Sequence, residues 1–119
     1  MLGVRSADWS LFYTGSVAAG EPGPASDRFH LTQNHPNPFG DTTTLHFDIP
    51  ADTDVSVAVY DVAGRLVRVL ADSVPARSGR HSLIWDGRSH GGDVVSSGVY
   101  FYRLETPDHT ETRRMVILR

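Results

Sequence analysis

The strongest constraint in this chain is a period of two. In LHFDI (45–49), Leu45, Phe47 and Ile49 alternate with His46 and Asp48. Successive side chains of an extended strand point to opposite faces, so one face is apolar and the other polar. The pattern returns in VSVAVY (55–60), with Val55, Val57 and Val59 inward, and in HSLIWD (81–86), with Leu83 and Trp85 on one face. RLVRVLA (65–71), VYFYRLET (99–106) and TRRMVILR (112–119) are rich in the β-branched and aromatic residues that suit a pleated surface. Val94 and Val95 read as a short pairing segment. No segment has sustained helical periodicity. Roughly seven short strands, with turn signals every 8–12 residues or so, predict an all-β fold: a seven-stranded antiparallel immunoglobulin-like β-sandwich.

The turns carry their own chemistry. DVAG (61–64) reads as a tight hairpin turn in which Asp61 bonds nearby backbone and Gly64 supplies a positive φ. PARSGR (75–80) reads as a turn and GRSHGGD (87–93) as a glycine-rich loop. There is no cysteine, so packing around Phe47, Trp85, Tyr100 and Tyr102 has to hold the core. NHPNPF (34–39) is stiff and poor in donors, because Pro36 and Pro38 each fix φ and remove an N–H. It is expected to be an elbow where a linker ends and the sandwich begins, with Phe39 as an anchor into the core.

At 119 residues the chain has room for one domain and a flanking segment. ADWSLFYT (7–14) resembles a strand, and SVAAGEPGPASD (16–27) has the small, Gly/Pro-rich composition of a linker. Residues 1–28 are therefore expected to be a remnant of an upstream domain plus linker, and residues 29–119 the sandwich. The net charge of −3 argues against a general nucleic-acid binder, although all 11 basic residues are arginine. No segment approaches the ~18 consecutive apolar residues of a membrane span. The N-terminal stretch also lacks the apolar core of a secretory signal.

Residue patterns for catalysis are weak. There is no G-x-S-x-G elbow, no H-E-x-x-H pair and no G-K-[ST] phosphate loop. His46 and Asp48 share one strand face, which would suit a metal with a third ligand, but a solvated polar face explains them more simply. DGRSHGGD (86–93) lacks the spacing and terminal Glu of a calcium loop, and Asp86 is expected to cap a turn. Arg103, Arg113, Arg114 and Arg119 suit either an acidic partner or ordinary solvation. No catalytic residue, metal or cofactor is expected.

Taken together, FHLTQNHPNPFGDTTTLHFDIP, VAVYDVAGRLVRVL, HSLIWDG, SSGVYFYRLET and RRMVILR resemble the C-terminal sorting domain of the type IX secretion system. They also resemble the immunoglobulin-like domain of flagellar hook-capping proteins, its structural relative. The resemblance spans Phe29 to Arg119, with every block in order. Pro36, Asn37 and Pro38 match the leading PNP element; Tyr60, Asp61, Gly64 and Arg65 the YDxxGR hairpin; Trp85, Asp86 and Gly87 the WDG turn. Gly98, Tyr100 and Tyr102 match the SGxYxY strand, and Arg114 through Arg119 the terminal basic-apolar segment. Arginine stands where the family often has lysine, and Asp41 lies near a frequent proline.

The resemblance implies an address and not an enzyme. Such a domain directs a larger exported cargo, fused in cis upstream, through the periplasm to an outer-membrane translocon of a Gram-negative bacterium. The expected partners are type IX translocon or shuttle proteins, with no nucleic acid and no membrane span, and the expected destination is the cell surface or the medium. The alternative is a structural module that self-associates through edge strands, such as the last strand, or that supports a surface or filament assembly.

Overall fold

The alternating segments pair into two layers. The computed structural model describes residues 28–119, in which seven strands follow in order. They are β1 (His30–Leu31), β2 (Thr43–Ile49), β3 (Thr53–Asp61), β4 (Leu66–Ala76), β5 (Gly79–Trp85), β6 (Gly98–Thr106) and β7 (His109–Ile117). One sheet has the order β1-β2-β5 and the other β4-β3-β6-β7, with every pairing antiparallel. The sandwich expected from the alternation is therefore the fold. The expectations for residues 1–27 lie outside the described residues.

Inward positions of the two sheets meet in a single core. Leu45, Phe47, Ile49, Leu83 and Trp85 from one layer pack against Val55, Val57, Val59, Tyr102, Leu104, Met115 and Ile117 from the other. Burying each large apolar side chain contributes about 1.5–3 kcal/mol, which is how a chain without cysteine holds together. Trp85 is fully buried and meets Phe39 and Tyr100 edge-on, with ring centroids 5.8 and 6.0 Å away. Phe39 is thus the core anchor its sequence context suggested.

The hexamer around Phe39 does more than turn a corner. β1 precedes it, so the sandwich has already begun when the chain reaches Asn34. His35 then pairs with Thr44 of the first sheet and Phe39 with Ile117 of the second, so the hexamer is a strap joining the two layers. Both of its X-Pro bonds, His35–Pro36 and Asn37–Pro38, are cis. Asn34 is buried, and its side-chain amide donates to the Pro36 carbonyl and to Thr43 Oγ1, at 3.1 and 3.0 Å. Its backbone N–H donates to the Tyr102 hydroxyl at 2.8 Å, and that hydroxyl donates to the Thr32 carbonyl at 2.7 Å. Burial pushes the Tyr102 pKa up to about 12, against the lowering effects of the Asn34 N–H and Arg113.

Three local expectations are corrected. β4 runs on through Pro75 to Ala76, which confines the expected 75–80 turn to Arg77 and Ser78. Proline is tolerated because β4 is an edge strand, and the ladder is already bulged where Ser73 has φ 51°. Val94 makes only an isolated bridge to Arg88, while the two-residue β1 was too short to show any period. Asp48 is buried and not solvated: β2 is the central strand of its sheet, and Arg80 Nε closes on the Asp48 carboxylate at 3.0 Å.

Two measurements test this account. Tyr102→Phe strands the buried Asn34 N–H and should cost about 1–3 kcal/mol in denaturant unfolding. Trp85→Ala, which empties the core, should cost about 3–5 kcal/mol. The second measurement concerns His81, which stacks on Phe47 and whose Nε2–H donates to the Arg77 carbonyl at 2.6 Å. Burial holds its pKa below the ordinary 6.5, outweighing the effect of that bond. A base with a depressed folded pKa takes up its proton more readily when unfolded. Its stabilising effect is therefore complete above pH 6.5 and declines as pH falls through the folded value. Urea unfolding over that range should show the slope, and His81→Gln should flatten it.

Candidate recognition surface

Antiparallel direction gathers the loops. β3, β5 and β7 end at the pole of the sandwich where β2, β4 and β6 begin. There Asp61 lies opposite Tyr100, Thr43 opposite Trp85, Gly98 opposite Ile117, and the strap residue Phe39 beside Ile117. Of the residues singled out in the sequence, Pro36, Asn37, Pro38, Asp61, Gly64, Arg65, Trp85, Asp86, Gly87, Gly98, Tyr100 and Arg119 all come to this pole. The other three lie elsewhere. Tyr102 is interior, and Tyr60 and Arg114 form one cross-strand row with Phe101 on the four-stranded sheet. Arg103 lies over the Tyr60 ring, 4.7 Å from its centroid.

The hairpin turn is held by one carboxylate. Asp61 Oδ1 accepts the N–H groups of Ala63 and Arg65, each at 2.9 Å, and Oδ2 accepts Arg65 Nε at 3.0 Å. Gly64 takes φ 82°, as the turn requires. The Arg65 N–H, helped by the Ala63 N–H and the Arg65 guanidinium, holds the Asp61 carboxyl below its usual range, so it stays charged.

The WDG turn and the terminal arginine form one unit. Trp85 Nε1 donates to the Arg88 carbonyl at 3.0 Å, and Asp86 Oδ1 accepts the Arg88 N–H at 3.1 Å, the expected cap. Arg119 donates to the Gly40 carbonyl through Nη1, to Val95 through Nε at 2.9 Å, and to Gly87 through Nη2 at 3.1 Å. Its backbone N–H reaches Ser97 Oγ at 3.0 Å. Gly87 has φ +71°, and a Cβ there would stand 2.8 Å from Arg119 Nη2. Two residues far apart in sequence thus depend on each other, and Arg119 ties three segments of the pole together.

Sequence patterns missed several participants. His90 pins the glycine loop to the edge of β4: its N–H donates to the Val67 carbonyl at 3.1 Å and its Nε2 accepts the Val69 N–H at 3.2 Å. Arg68 bridges from β4 to Asp86 and to the Arg88 and Ser89 carbonyls. Neither contact follows a spacing rule, because the partners are distant in sequence. The last strand is also less open than expected. Along its C-terminal half the strap supplies Asn37 Oδ1 to the Val116 N–H, and Phe39 bonds Val116 and Leu118.

The pole is also where apolar surface is exposed. Among the described residues the exposed large hydrophobics are Val62, Leu66, Ile84, Val94 and Leu118; four lie at or next to the strand ends named above, and Val94 lies in the loop from β5 to β6, bridged to Arg88. The turns at the opposite pole contain Ala51, Asp52, Arg77, Ser78, Pro107 and Asp108. A groove of about 580 Å³ lies between the Asp61 turn and the glycine loop, lined by residues that include Arg65, Leu66, Val67, His90, Val95 and Tyr100. Among the described residues no three or more His, Asp or Glu side chains gather as a metal site would need.

With this geometry described, comparison with known proteins gives a consistent result. The FlgD Ig-like domain family matches residues 34–108. No curated protein matches the chain. Among solved structures, dimeric latent PorU from Porphyromonas gingivalis is similar at TM-score 0.59 and 23% identity, over 81% of this chain and 10% of that one. PorZ, an essential bacterial surface component of the type IX secretion system of the same organism, is similar at 0.51 and 26%, over 89% and 13%. FlgD from P. aeruginosa is similar at 0.53 and 22%, over 77% and 74%. The chain therefore spans about a tenth of the PorU and PorZ chains.

The Gly87–Arg119 pair makes a direct prediction for hydrogen exchange. The Val95 N–H donates to the Gly87 carbonyl at 3.0 Å and reports on the clamp. Arg119→Ala and Gly87→Ala should both speed exchange at Val95, while β3 and β6 amides keep their protection. Gly87→Ala should cost the greater stability, about 1–3 kcal/mol, since it also strains a left-handed backbone. Unchanged Val95 exchange in both variants would mean that the clamp does not order the pole.

Proposed function

This chain belongs to the FlgD Ig-like domain family, and we propose that it serves as a non-catalytic sorting module, recognised through the motif-bearing pole. In this reading a larger exported protein carries the domain, and translocon or shuttle components of a type IX system bind it at the outer membrane. The observation that carries the proposal is convergence. Blocks scattered over some eighty residues of sequence, from Pro36 to Arg119, come to one end of the sandwich, where the apolar surface is also exposed. A purely structural sandwich needs its core and its turns, but it has no reason to collect exposed Val62, Leu66, Val94 and Leu118 at one pole.

The likeness to PorZ, itself a surface component of a type IX system, supports the same context and a cell-surface or secreted destination. Membership of the FlgD Ig-like domain family supports a non-catalytic structural domain. The domain would then act by presenting a rigid surface. Asp61, Gly87 and Arg119 shape that surface, and Tyr102 and Trp85 hold it from beneath.

Fusing residues 15–119 to an unrelated reporter with a Sec signal, in a host that has the type IX system, tests the proposal. The reporter is expected at the cell surface or in the medium, and disabling the translocon should abolish its appearance there. A wild-type fusion that folds but stays in the periplasm would overturn the sorting reading.

A further inference from the structure

We propose that the groove between the Asp61 turn and the glycine loop binds an acidic peptide segment, one that presents an apolar side chain beside a carboxylate. The proposal rests on the pole being the recognition surface and specifies the chemistry of what it recognises.

The floor and the rim differ in character. Leu66 is half exposed, and beside it Val67 and Val95 are partly buried against the core, with Tyr100 beneath. The Tyr100 hydroxyl is already used, donating to the Ser96 carbonyl at 2.8 Å, so its ring is what the groove meets. An apolar side chain would replace water over this floor. The volume, about 580 Å³, falls within the roughly 300–1,000 Å³ of ordinary ligand sites and suits one or two side chains.

The rim is rich in donors. The Arg65 side chain is 81% exposed and spends only Nε on Asp61, so both Nη groups project outward without a partner among the described residues. His90 Nε2 accepts the Val69 N–H, so the neutral ring carries its proton on Nδ1. The Asp61 and Asp86 carboxylates, by contrast, are engaged. Asp61 holds two backbone N–H groups and Arg65 Nε, and Asp86 faces Arg68 at 3.4 Å. A planar guanidinium with two unused Nη groups matches a carboxylate. One fixed cation, with a carboxylate 3.0 Å behind it, suits a monoanion better than a phosphate dianion.

Both walls are built in advance. The turn is held by Asp61, and the loop is pinned to β4 by both the backbone and the ring of His90. Little ordering remains to oppose binding.

Titrating the isotope-labelled full chain with acetyl-Leu-Glu-Leu-Glu-amide, followed by amide NMR, tests this proposal. Acetyl-Leu-Gln-Leu-Gln-amide and acetyl-Ser-Glu-Ser-Glu-amide serve as comparison probes. The acidic apolar peptide is expected to shift Leu66, Val67, His90, Gly91 and Val95, and to bind roughly tenfold tighter than the Gln peptide. Arg65→Gln should erase that preference while keeping the turn, since Asp61 still takes the two backbone N–H groups. Leu66→Ser should weaken both Leu peptides. Equal binding of the Glu and Gln peptides, tighter binding of the Ser peptide, or shifts away from the groove would overturn the proposal. A wild-type fusion delivered to the surface, with no acidic preference in the titration, removes the groove assignment alone. A fusion retained in the periplasm with the preference intact removes the sorting reading and leaves this site standing.

Discussion

Tyr102 reaches from β6 into the space between the layers, where its hydroxyl accepts the Asn34 N–H and donates to the Thr32 carbonyl. Those bonds anchor the start of the strap. Asn34 in turn holds Pro36 and Thr43, so the chain leaves β1, crosses to β7 and returns to β2 along a defined path. Phe39 rides on that path into the core beside Trp85, and Gly40 arrives where Arg119 can bond it. A polar contact between buried groups thus decides where the apolar wedge and the clamp are placed. It is stable because each buried donor has found an acceptor, which a low-dielectric interior demands.

The same path settles how the sheet edges are managed. An uncovered strand edge invites pairing with another chain. The strap covers the C-terminal half of β7, and the glycine loop bonds the first half of β4 through His90. The rest of β4 is bulged at Ser73 and carries Pro75, which breaks any regular ladder. What projects at the pole is therefore mainly side chains: Val62, Leu66, Val94 and Leu118 with the Arg65 guanidinium. Among the described residues the exposed large hydrophobics gather toward this one end of the sandwich.

Much of this was legible in the residues. Alternation in 45–49, 55–60 and 81–86 identified the inward positions, and Asp61 and Gly64 announced their turn. Asp86 caps its turn, as the Asp-Gly sequence predicts. The exceptions share a cause. Asp48 looked solvated because its neighbours alternate, yet Arg80 from another strand closes over it. β1 was invisible because two residues cannot show a period. His90 and Arg68 carried no motif, since a loop docking on a strand edge follows no spacing.

By itself the sequence determined the layer architecture, the inward faces and the turn chemistry, because each depends on residues within a few positions of one another. Tertiary structure alone decided that the proline hexamer is a strap, that Gly87 and Arg119 form one clamp, and that the scattered blocks share one pole. Those facts depend on contacts between residues tens of positions apart. Their partners are chosen only when the two sheets close on a common core.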